Sequence, residues 1–549
     1  MYLLLQMSFP HLFNIIFYTL VTESLALISS SSPNMIFILS DDLGYSELSI
    51  SPRGPSNNRN LSTPNIDSLF NSGMKFNNAY CGEAVCAPSR NALMTGQHTG
   101  HTWIRGNAPG EDGHGLPLRK KDVTIFELLQ NQGYHIDCVG KWSMGWWNST
   151  GAPNVKGCST YYGVVDQAYA HLMYPSAPDF TWQYPAANGS LIPESIPIPA
   201  NINASRERCM TAGNTCVWAH DLWTNAAKRA INAQAERVKV AKEKGETAAP
   251  FFLYLAYTDP HAGGWYLENE SGNPVPSDDG PVANFGSKTN WPNAEKGKFV
   301  LIHVIDRVTV SLIHSFFLSF FLSPDHASVI CNYQDKDVGD IVSLLESSGL
   351  RTNTAVLYAS DNGASNEGDH DYMFFESSGP LRGFKRCLTE GGIRTPFAVS
   401  LPGTIPAGST SNYTVAFWDI LPTLAELGGV SSSNIPIDID GISFVNELLG
   451  VKPQQLHPPL YWEFCTATKP PGSKAGKGWS RAVRNSTWKA VSFFESDGWE
   501  LYDLSVDEGE TTNIAKNHPD IIKQIDDFAK AAHSDNVNFP VGDTACIPS

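Results

Sequence analysis

Four apolar runs in this chain each lead into residues equipped for chemistry. Asn34–Ser40 (NMIFILS) is followed by Asp41-Asp42, Tyr134–Val139 (YHIDCV) by Gly140-Lys141, Phe251–Tyr257 (FFLYLAY) by Thr258-Asp-Pro-His261, and Thr354–Ser360 (TAVLYAS) by Asp361-Asn362-Gly363. The carboxylates and the amide are hard oxygen donors, which suit calcium or magnesium better than zinc. A lysine and a histidine can neutralise charge or carry a proton at an anionic group. A fifth segment, Cys86-Ala-Pro88-Ser89-Arg90, adds a thiol. Pro88 suits the first turn of a helix that begins just after the cysteine, which sets residue 86 near a positive helix end with Arg90 one turn on.

These groups can act together only if a scaffold gathers them. Short, continuous apolar runs with helical patterns between them predict a parallel sheet buried on both faces. In such open α/β sheets, ligands bind beyond the carboxyl ends of the strands, where the acids, the lysine and the histidine fall. The alternative is that strand ends are polar simply because they reach the surface. Helices are predicted over Asp122–Gln132, capped by Asp122 and stopped by Gly133, and over Asn225–Lys244, capped by Thr224 and stopped by Gly245. After about residue 450 the pattern changes. Leu460–Phe464, Arg481–Val491 and Trp499–Leu504 read as strands of a smaller antiparallel unit, closed by an amphipathic helix over Ile521–His533. The division expected is a catalytic domain over 33–450 and a small C-terminal domain over 451–549.

A chain of 549 residues with 17% charged and 11% aromatic residues is globular and large enough for two or three domains. Its formal net charge of −17 excludes nucleic acid as a partner, and an anionic substrate must be held by a local basic pocket. Residues 1–30 read as a signal peptide or signal anchor, with an apolar stretch at Leu12–Val21 and small residues over Ser24–Ser29, although the usual positive n-region is missing. Sequons at Asn60, Asn148, Asn188, Asn203, Asn269, Asn412 and Asn485 fit a secretory route, ending outside the cell or in a lysosome- or vacuole-like compartment. Among the 10 cysteines, Cys209 and Cys216 are the easiest local pair.

Residues 298–325 depart from the rest. Val308–Ser323 (VTVSLIHSFFLSFFLS) is shorter than the roughly 20 residues of a membrane span, so no membrane span is assigned. It reads as a buried helix, an exposed apolar patch, or translated intron. Phe, Leu and Ser codons are pyrimidine-rich like the tract before a splice acceptor, and Gly297-Lys298 can be encoded across a splice donor. A cDNA containing the segment would refute the intron reading.

Cys86-Ala-Pro-Ser-Arg90-Asn-Ala-Leu-Met-Thr95-Gly96 resembles the sulfatase signature, in which the cysteine is oxidised to formylglycine. Asp41-Asp42, Gly140-Lys141-Trp142, Pro260-His261, Asp361-Asn362-Gly363, Leu381-Arg-Gly-Phe-Lys385 with Glu390-Gly-Gly-Ile-Arg394, and Leu501-Tyr-Asp-Leu with Glu510-Thr-Thr-Asn-Ile look like the family's other motifs in the family's order. The resemblance runs from about residue 33 to 535, apart from 298–325. It implies an alkaline-phosphatase-like α/β fold: a large mixed, mostly parallel sheet sandwiched by helices, with a smaller C-terminal α+β domain containing an antiparallel sheet.

It further implies hydrolysis of sulfate monoesters by formylglycine 86. The hydrated aldehyde offers one hydroxyl to attack sulfur and a second to help expel sulfate, which splits one difficult step into two. One calcium ion per chain would be held by Asp41, Asp42, Cys86 in its modified form, Asp361 and Asn362, with Arg90, Lys141, His261 and Lys385 on the sulfate. The implied partners are a sulfate-ester substrate, carbohydrate in the first instance, and a formylglycine-generating enzyme during maturation.

One position departs from the family. Sulfatases often read Gly-Lys-Trp-His where this chain has Gly140-Lys141-Trp142-Ser143. A bacterial-type branch has glycine there, followed by Gln-X-X-Ala-His-X-X-Tyr-Pro, and this chain has Gln167-Ala-Tyr-Ala-His171-Leu-Met-Tyr-Pro175. His171 is therefore expected to replace the missing base or to bind substrate; the alternative is a structural histidine among aromatics. His370 in Glu367-Gly-Asp-His370 either lines the pocket or caps a loop. Two rival functions stand beside the hydrolase: a phosphatase or phosphodiesterase on the same fold, and an inactive homologue that binds sulfated glycan.

Overall fold

The computed structural model describes residues 32–51, 62–107, 114–176, 181–202, 209, 215–263, 333–468, 477–493 and 497–542. The expectations for 1–30 and 298–325 lie outside these residues. The large sheet has ten strands: β1 (Asn34–Ser40), β2 (Met74–Tyr80), β3 (His135–Lys141), β4 (Thr160–Val164), β5 (Trp182–Tyr184), β6 (Glu194–Ser195), β7 (Phe251–Ala256), β8 (Thr354–Ser360), β9 (Phe397–Ser400) and β10 (Ser409–Ala416). They lie in the order β10-β2-β9-β8-β1-β7-β3-β4-β5-β6. From β8 to β4 every pair is parallel. β9 runs antiparallel to both its neighbours. The sheet is thus mixed and mostly parallel, as expected.

The four apolar runs occupy its centre because both of their faces are buried. Along β1, Met35, Phe37 and Leu39 pack with Phe126, Leu129, Leu421 and Leu424 of the helices Ile125–Asn131 and Ile420–Leu427. The alternate residues Ile36 and Ile38 pack with Phe70, Trp223, Ile231 and Ile341 of the helices Pro64–Asn71, Ala219–Glu243 and Tyr333–Ser347. Each of these large side chains contributes about 1.5–3 kcal/mol by leaving water.

Two expected helix starts shift. The first helix begins at Ile125 with Thr124 as its cap, because Thr124 and Glu127 form a reciprocal capping box. Asp122 instead binds the Arg119 guanidinium at 2.7 Å. The second helix begins at Ala219, six residues earlier than expected. Thr224 lies inside it, buried, and its hydroxyl donates to Asp337 at 2.6 Å.

The smaller sheet is antiparallel, with β11 (Leu460–Thr468), β12 (Lys477–Asn485), β13 (Trp488–Ser492) and β14 (Glu500–Asp503) in sequential order. The expected strand Arg481–Val491 is two strands joined at Ser486-Thr487, where Ser486 has φ +56°. Its two faces have different partners. Leu460, Trp462 and Phe464 join the core of the large sheet, while Tyr461, Val483 and Leu501 pack on Ile525 and Ala529 of the helix Pro519–Ala531.

Disulfides join Cys209 to Cys216, as expected, and Cys138 to Cys158. Cys81, Cys86 and Cys387 are free thiols, all buried. The sequon residues Asn148, Asn188, Asn412 and Asn485 are all exposed. Among the described residues, no helix is long and apolar enough to cross a membrane.

Candidate active site

Strand register brings the polar ends level. Ser40 pairs with Ser360 and Leu39 with Ala256, while Gly140 pairs with Ala256 from the other side. The next residues, Asp41, Asp361 and Lys141, therefore emerge side by side. Two backbone bonds extend the ladder: the Asp41 amide donates to the Asp259 carbonyl and the Asp361 amide to the Ser40 carbonyl, both at 3.0 Å. Gly140 has φ +92°, and a Cβ there would stand 1.9 Å from the Ala256 carbonyl oxygen, so only glycine permits this approach. Asp42 takes the left-handed conformation (φ +67°), and its amide donates to Asp361 Oδ1 at 3.2 Å.

Cys86 opens the buried helix Cys86–Thr95, whose Gly96 cap is left-handed. The Ala87 amide of its first turn, which has no partner within the helix, donates to Asn107 Oδ1 at 3.1 Å. The Cys86 thiol donates to Asp41 Oδ1 at 3.4 Å. Burial, with Asp41 beside it, pushes this thiol up to about 12, so the unmodified side chain is a neutral thiol and a poor nucleophile.

Three buried cations face the carboxylates. Arg90 donates through Nε (3.0 Å) and Nη2 (2.8 Å) to Asp361 Oδ2, and through Nη1 to the Lys141 carbonyl at 3.1 Å. Lys141 donates to Asp41 Oδ2 at 2.6 Å. Lys385 donates to Asp42 Oδ2 at 2.8 Å. Its turn is held from both sides, since the Lys385 amide donates to the Ala364 carbonyl at 2.8 Å and the Arg386 amide to the Ala84 carbonyl at 2.7 Å. Burial would raise every carboxylate here. Lys141 and Arg90 nevertheless hold Asp41 well below the usual range, and Lys385 with the Asn362 hydrogen bond holds Asp42 down to about 2. For Asp361, burial and the Asp41 charge prevail over Arg90 and push it up to about 6.

Asn362 shows what would complete the cluster. Its Nδ2 donates to Asp42 Oδ1 at 2.7 Å and to the Gly363 carbonyl at 2.9 Å; both partners accept only, which fixes the amide's orientation. Its Oδ1 is buried and has no hydrogen-bond partner among the described residues. Leaving such an atom unmatched costs about 1–3 kcal/mol. A hard cation among this oxygen and the crowded carboxylates would satisfy it and relieve their repulsion. Ligand atoms of Asp41, Asp42, Cys86 and His261 already lie within 4.8 Å of one another. The residues present therefore fit a calcium-type ion.

His261 donates from Nδ1 to the Ala262 carbonyl at 2.5 Å, which leaves Nε2 to accept from Lys385 at 2.9 Å. His171 stacks on it, with ring centroids 3.9 Å apart and planes 9° apart. Burial and the nearby cationic groups hold His171 well below its ordinary value, so it is a neutral base. Its buried Nε2 has no hydrogen-bond partner among the described residues, and neither does the hydroxyl of Ser143.

All ten residues singled out in the sequence thus lie in one cluster: Asp41, Asp42, Cys86, Arg90, Lys141, His171, His261, Asp361, Asn362 and Lys385. His370 is buried, and its amide donates to the Glu367 carbonyl at 3.3 Å. Glu367 and Arg386 were not anticipated. Glu367 Oε2 accepts from Lys385 at 2.9 Å, and its Oε1 accepts from Arg386 Nε (3.1 Å) and Nη2 (2.9 Å). Burial opposes its charge, yet Lys385 and its neighbours hold it down to about 2. The available sequence signal was adjacency, since Glu367 follows Asn362 by five residues and Arg386 follows Lys385 directly.

A mostly parallel sheet covered on both faces, with a cation-ready acidic cluster beside a helix-borne cysteine, defines an alkaline-phosphatase-like α/β protein. The Sulfatase family profile matches residues 33–430, and the profile of the N-sulphoglucosamine sulphohydrolase C-terminal region matches 383–532. An N-acetylgalactosamine-6-O-sulfatase of Bacteroides thetaiotaomicron is 25% identical over 560 residues, covering 92% of this chain and 93% of its own. The arylsulfatase A of Bos taurus is 28% identical over 518 residues, covering 89% and 84%. The crystal structure of Ps i-CgsB in complex with k-i-k-neocarrahexaose shares the fold with a TM-score of 0.64 at 22% identity, over 94% of this chain and 96% of that one. The chain belongs to the sulfatase family and is a sulfuric ester hydrolase.

Proposed function

We propose that this chain hydrolyses sulfate monoesters of sulfated carbohydrates, with Cys86 converted to formylglycine as the nucleophile and one calcium ion held by Asp41, Asp42, Asp361, Asn362 and residue 86. The observation that carries the reading is the placement of Cys86 against Asp41 (3.4 Å), in a cluster where Arg90, Lys141 and Lys385 face the acids and Asn362 Oδ1 has no partner among the described residues. When bound, calcium would polarise a sulfate oxygen, and formylglycine would supply a hydroxyl nucleophile where the buried thiol cannot.

The chain's own residues do the rest. Arg90 braces Asp361 and, through the Lys141 carbonyl, the end of β3. Lys141 and Lys385 neutralise charge as the leaving oxygen departs. His261 holds an acceptor nitrogen towards Lys385 and contacts sulfate. Neutral His171, stacked against it, is the base that Ser143 cannot be. The carbohydrate assignment draws on the N-acetylgalactosamine-6-O-sulfatase relative and the neocarrahexaose-bound neighbour. Exposed sequons support a secretory route, in which a formylglycine-generating enzyme would act on Cys86. We assign residues 1–30 to a signal peptide or signal anchor, 33–450 to the catalytic domain, 451–549 to the small domain, and 298–325 to an anomalous insertion whose intronic origin a cDNA sequence tests.

The test is a parallel assay on sulfate and phosphate esters of the same aryl alcohol and on sulfated oligosaccharides, using protein co-produced with the generating enzyme and a Cys86→Ala control. Sulfate release by the wild type alone is expected. Phosphate release in its place would overturn the reading, and tight glycan binding without turnover would favour an inactive homologue.

A further inference from the structure

Lys385 has no donor to spare. An ammonium carries three N–H groups, and here they go to Asp42 Oδ2 (2.8 Å), Glu367 Oε2 (2.9 Å) and His261 Nε2 (2.9 Å). A sulfate oxygen can reach this lysine only if one partner withdraws. The side chains of Asp42 and His261 are 0% and 4% exposed, whereas that of Glu367 is 37% exposed. Glu367 Oε2 also lies 3.5 Å from His261 Nε2, so its carboxylate rests against two of the groups assigned to sulfate. A carboxylate that leaves Lys385 does not lose all pairing, because Arg386, 33% exposed, already holds its other oxygen.

The charges point the same way. Asp41, Asp42 and Asp361 face Arg90, Lys141 and Lys385, while Glu367 and Arg386 add one charge of each sign. Exchanging the Glu367 carboxylate for a monoanionic sulfate ester keeps the charge around Lys385 constant.

We infer that Glu367 is an exchangeable ligand of the sulfate site. It fills the anion position beside Lys385 and His261 when no substrate is bound, and an entering sulfate group displaces it onto Arg386 at the rim. This rests on the sulfatase reading, which says where sulfate binds. Two consequences follow: Glu367 competes with every anion for Lys385, and its return helps to expel product sulfate.

The experiment is calorimetric titration of inorganic sulfate into calcium-saturated wild type, Glu367→Gln and Glu367→Ala. Glu367→Asp is included as the conservative form, which keeps the charge but falls one methylene short of Lys385. Removing the competitor is expected to tighten sulfate binding at least fivefold in the Gln and Ala variants and by less in Glu367→Asp. The KM for an aryl sulfate should fall in parallel, and inhibition by added sulfate should strengthen. Unchanged or weaker sulfate binding in the variants, with the wild type still binding, would overturn the exchange and leave Glu367 as a brace for Lys385. Absence of sulfate binding in every form would overturn the exchange and the sulfatase reading of the pocket together.

Discussion

At the carboxyl ends of β1, β3, β7 and β8, buried carboxylates meet buried cations; beneath the C-terminal sheet they do so again, with a different outcome. There Lys489, fully buried, donates to Glu390 Oε1 at 2.9 Å and lies 3.5 Å from Glu510 Oε1. Tyr80 donates to Glu390 Oε2 at 2.6 Å, and the Glu390 amide donates to Glu510 Oε2 at 2.8 Å. This second group ties β13 and the 510 turn to the segment that follows Lys385; burial pushes Glu510 up to about 7, and its Oε1 lies 3.5 Å from the Lys489 ammonium without a hydrogen-bond partner among the described residues. The first group likewise holds a raised acid, Asp361 at about 6, but it crowds three aspartates around a thiol and, among the described residues, leaves Asn362 Oδ1 without a partner. Both groups cost desolvation. The second ties the C-terminal sheet to the segment after Lys385 and serves the fold, whereas the first, with three aspartates and a thiol at the strand ends, is shaped for a cation and an anionic substrate.

Matched substitutions break or sharpen this contrast. The largest effect is expected from Lys489→Ala, which leaves Glu390 and Glu510 buried without their ammonium. It should destabilise by about 3–5 kcal/mol, read by denaturant unfolding, while the folded fraction keeps kcat/KM within a few-fold of wild type. Lys141→Ala should do the reverse. Sulfate-ester turnover should fall by about 10²–10³, with a smaller loss of stability in calcium, because a bound cation still faces Asp41. Equal stability losses in the two variants would erase the distinction.

Calcium should raise the thermal midpoint of the wild type, by about 2.7 kcal/mol of stability at a hundredfold excess over Kd. Asn362→Ala should shrink that gain, and Lys489→Gln should keep it. A smaller effect concerns His220, held between Asp259 (2.8 Å) and Asp337 (3.0 Å). Burial opposes its protonation, but hydrogen bonds to the two aspartates outweigh it and push it up to about 10. The folded protein therefore holds a proton that the unfolded chain has lost between its ordinary value near 6.5 and about 10. Stability from this group is present in full below that window and declines as pH rises through it. His220→Gln should flatten that slope in pH-dependent melting; an unchanged slope would remove the aspartates as its cause.

Asp41, Asp42, Lys141, His261, Asp361 and Asn362 were legible in the sequence because they follow apolar runs, whereas Cys86, Arg90, His171 and Lys385 were reached through the resemblance to the sulfatase motifs. β1 and β8 were placed to the residue, and the groups after them lie where parallel register puts them. The strands that were not anticipated lack that signal. β2 (MKFNNAY) and β10 (STSNYTVA) carry polar residues through much of their length, and β9 (FAVS) is short. The turn at Ser486-Thr487 carries no glycine, so β12 and β13 read as one strand. Glu367 escaped notice because a loop glutamate ordinarily sits in water; its bond to Lys385 spans 18 residues and exists only in the folded chain.

Residue 86 carries the proposed chemistry. Peptide mass spectrometry across Cys86 should be made on protein secreted from cells that contain the formylglycine-generating enzyme, alongside a control sulfatase from the same cells. The account predicts an aldehyde at residue 86 in the fraction that hydrolyses sulfate esters. An unmodified thiol in protein that still hydrolyses them, with the control fully converted, would contradict it.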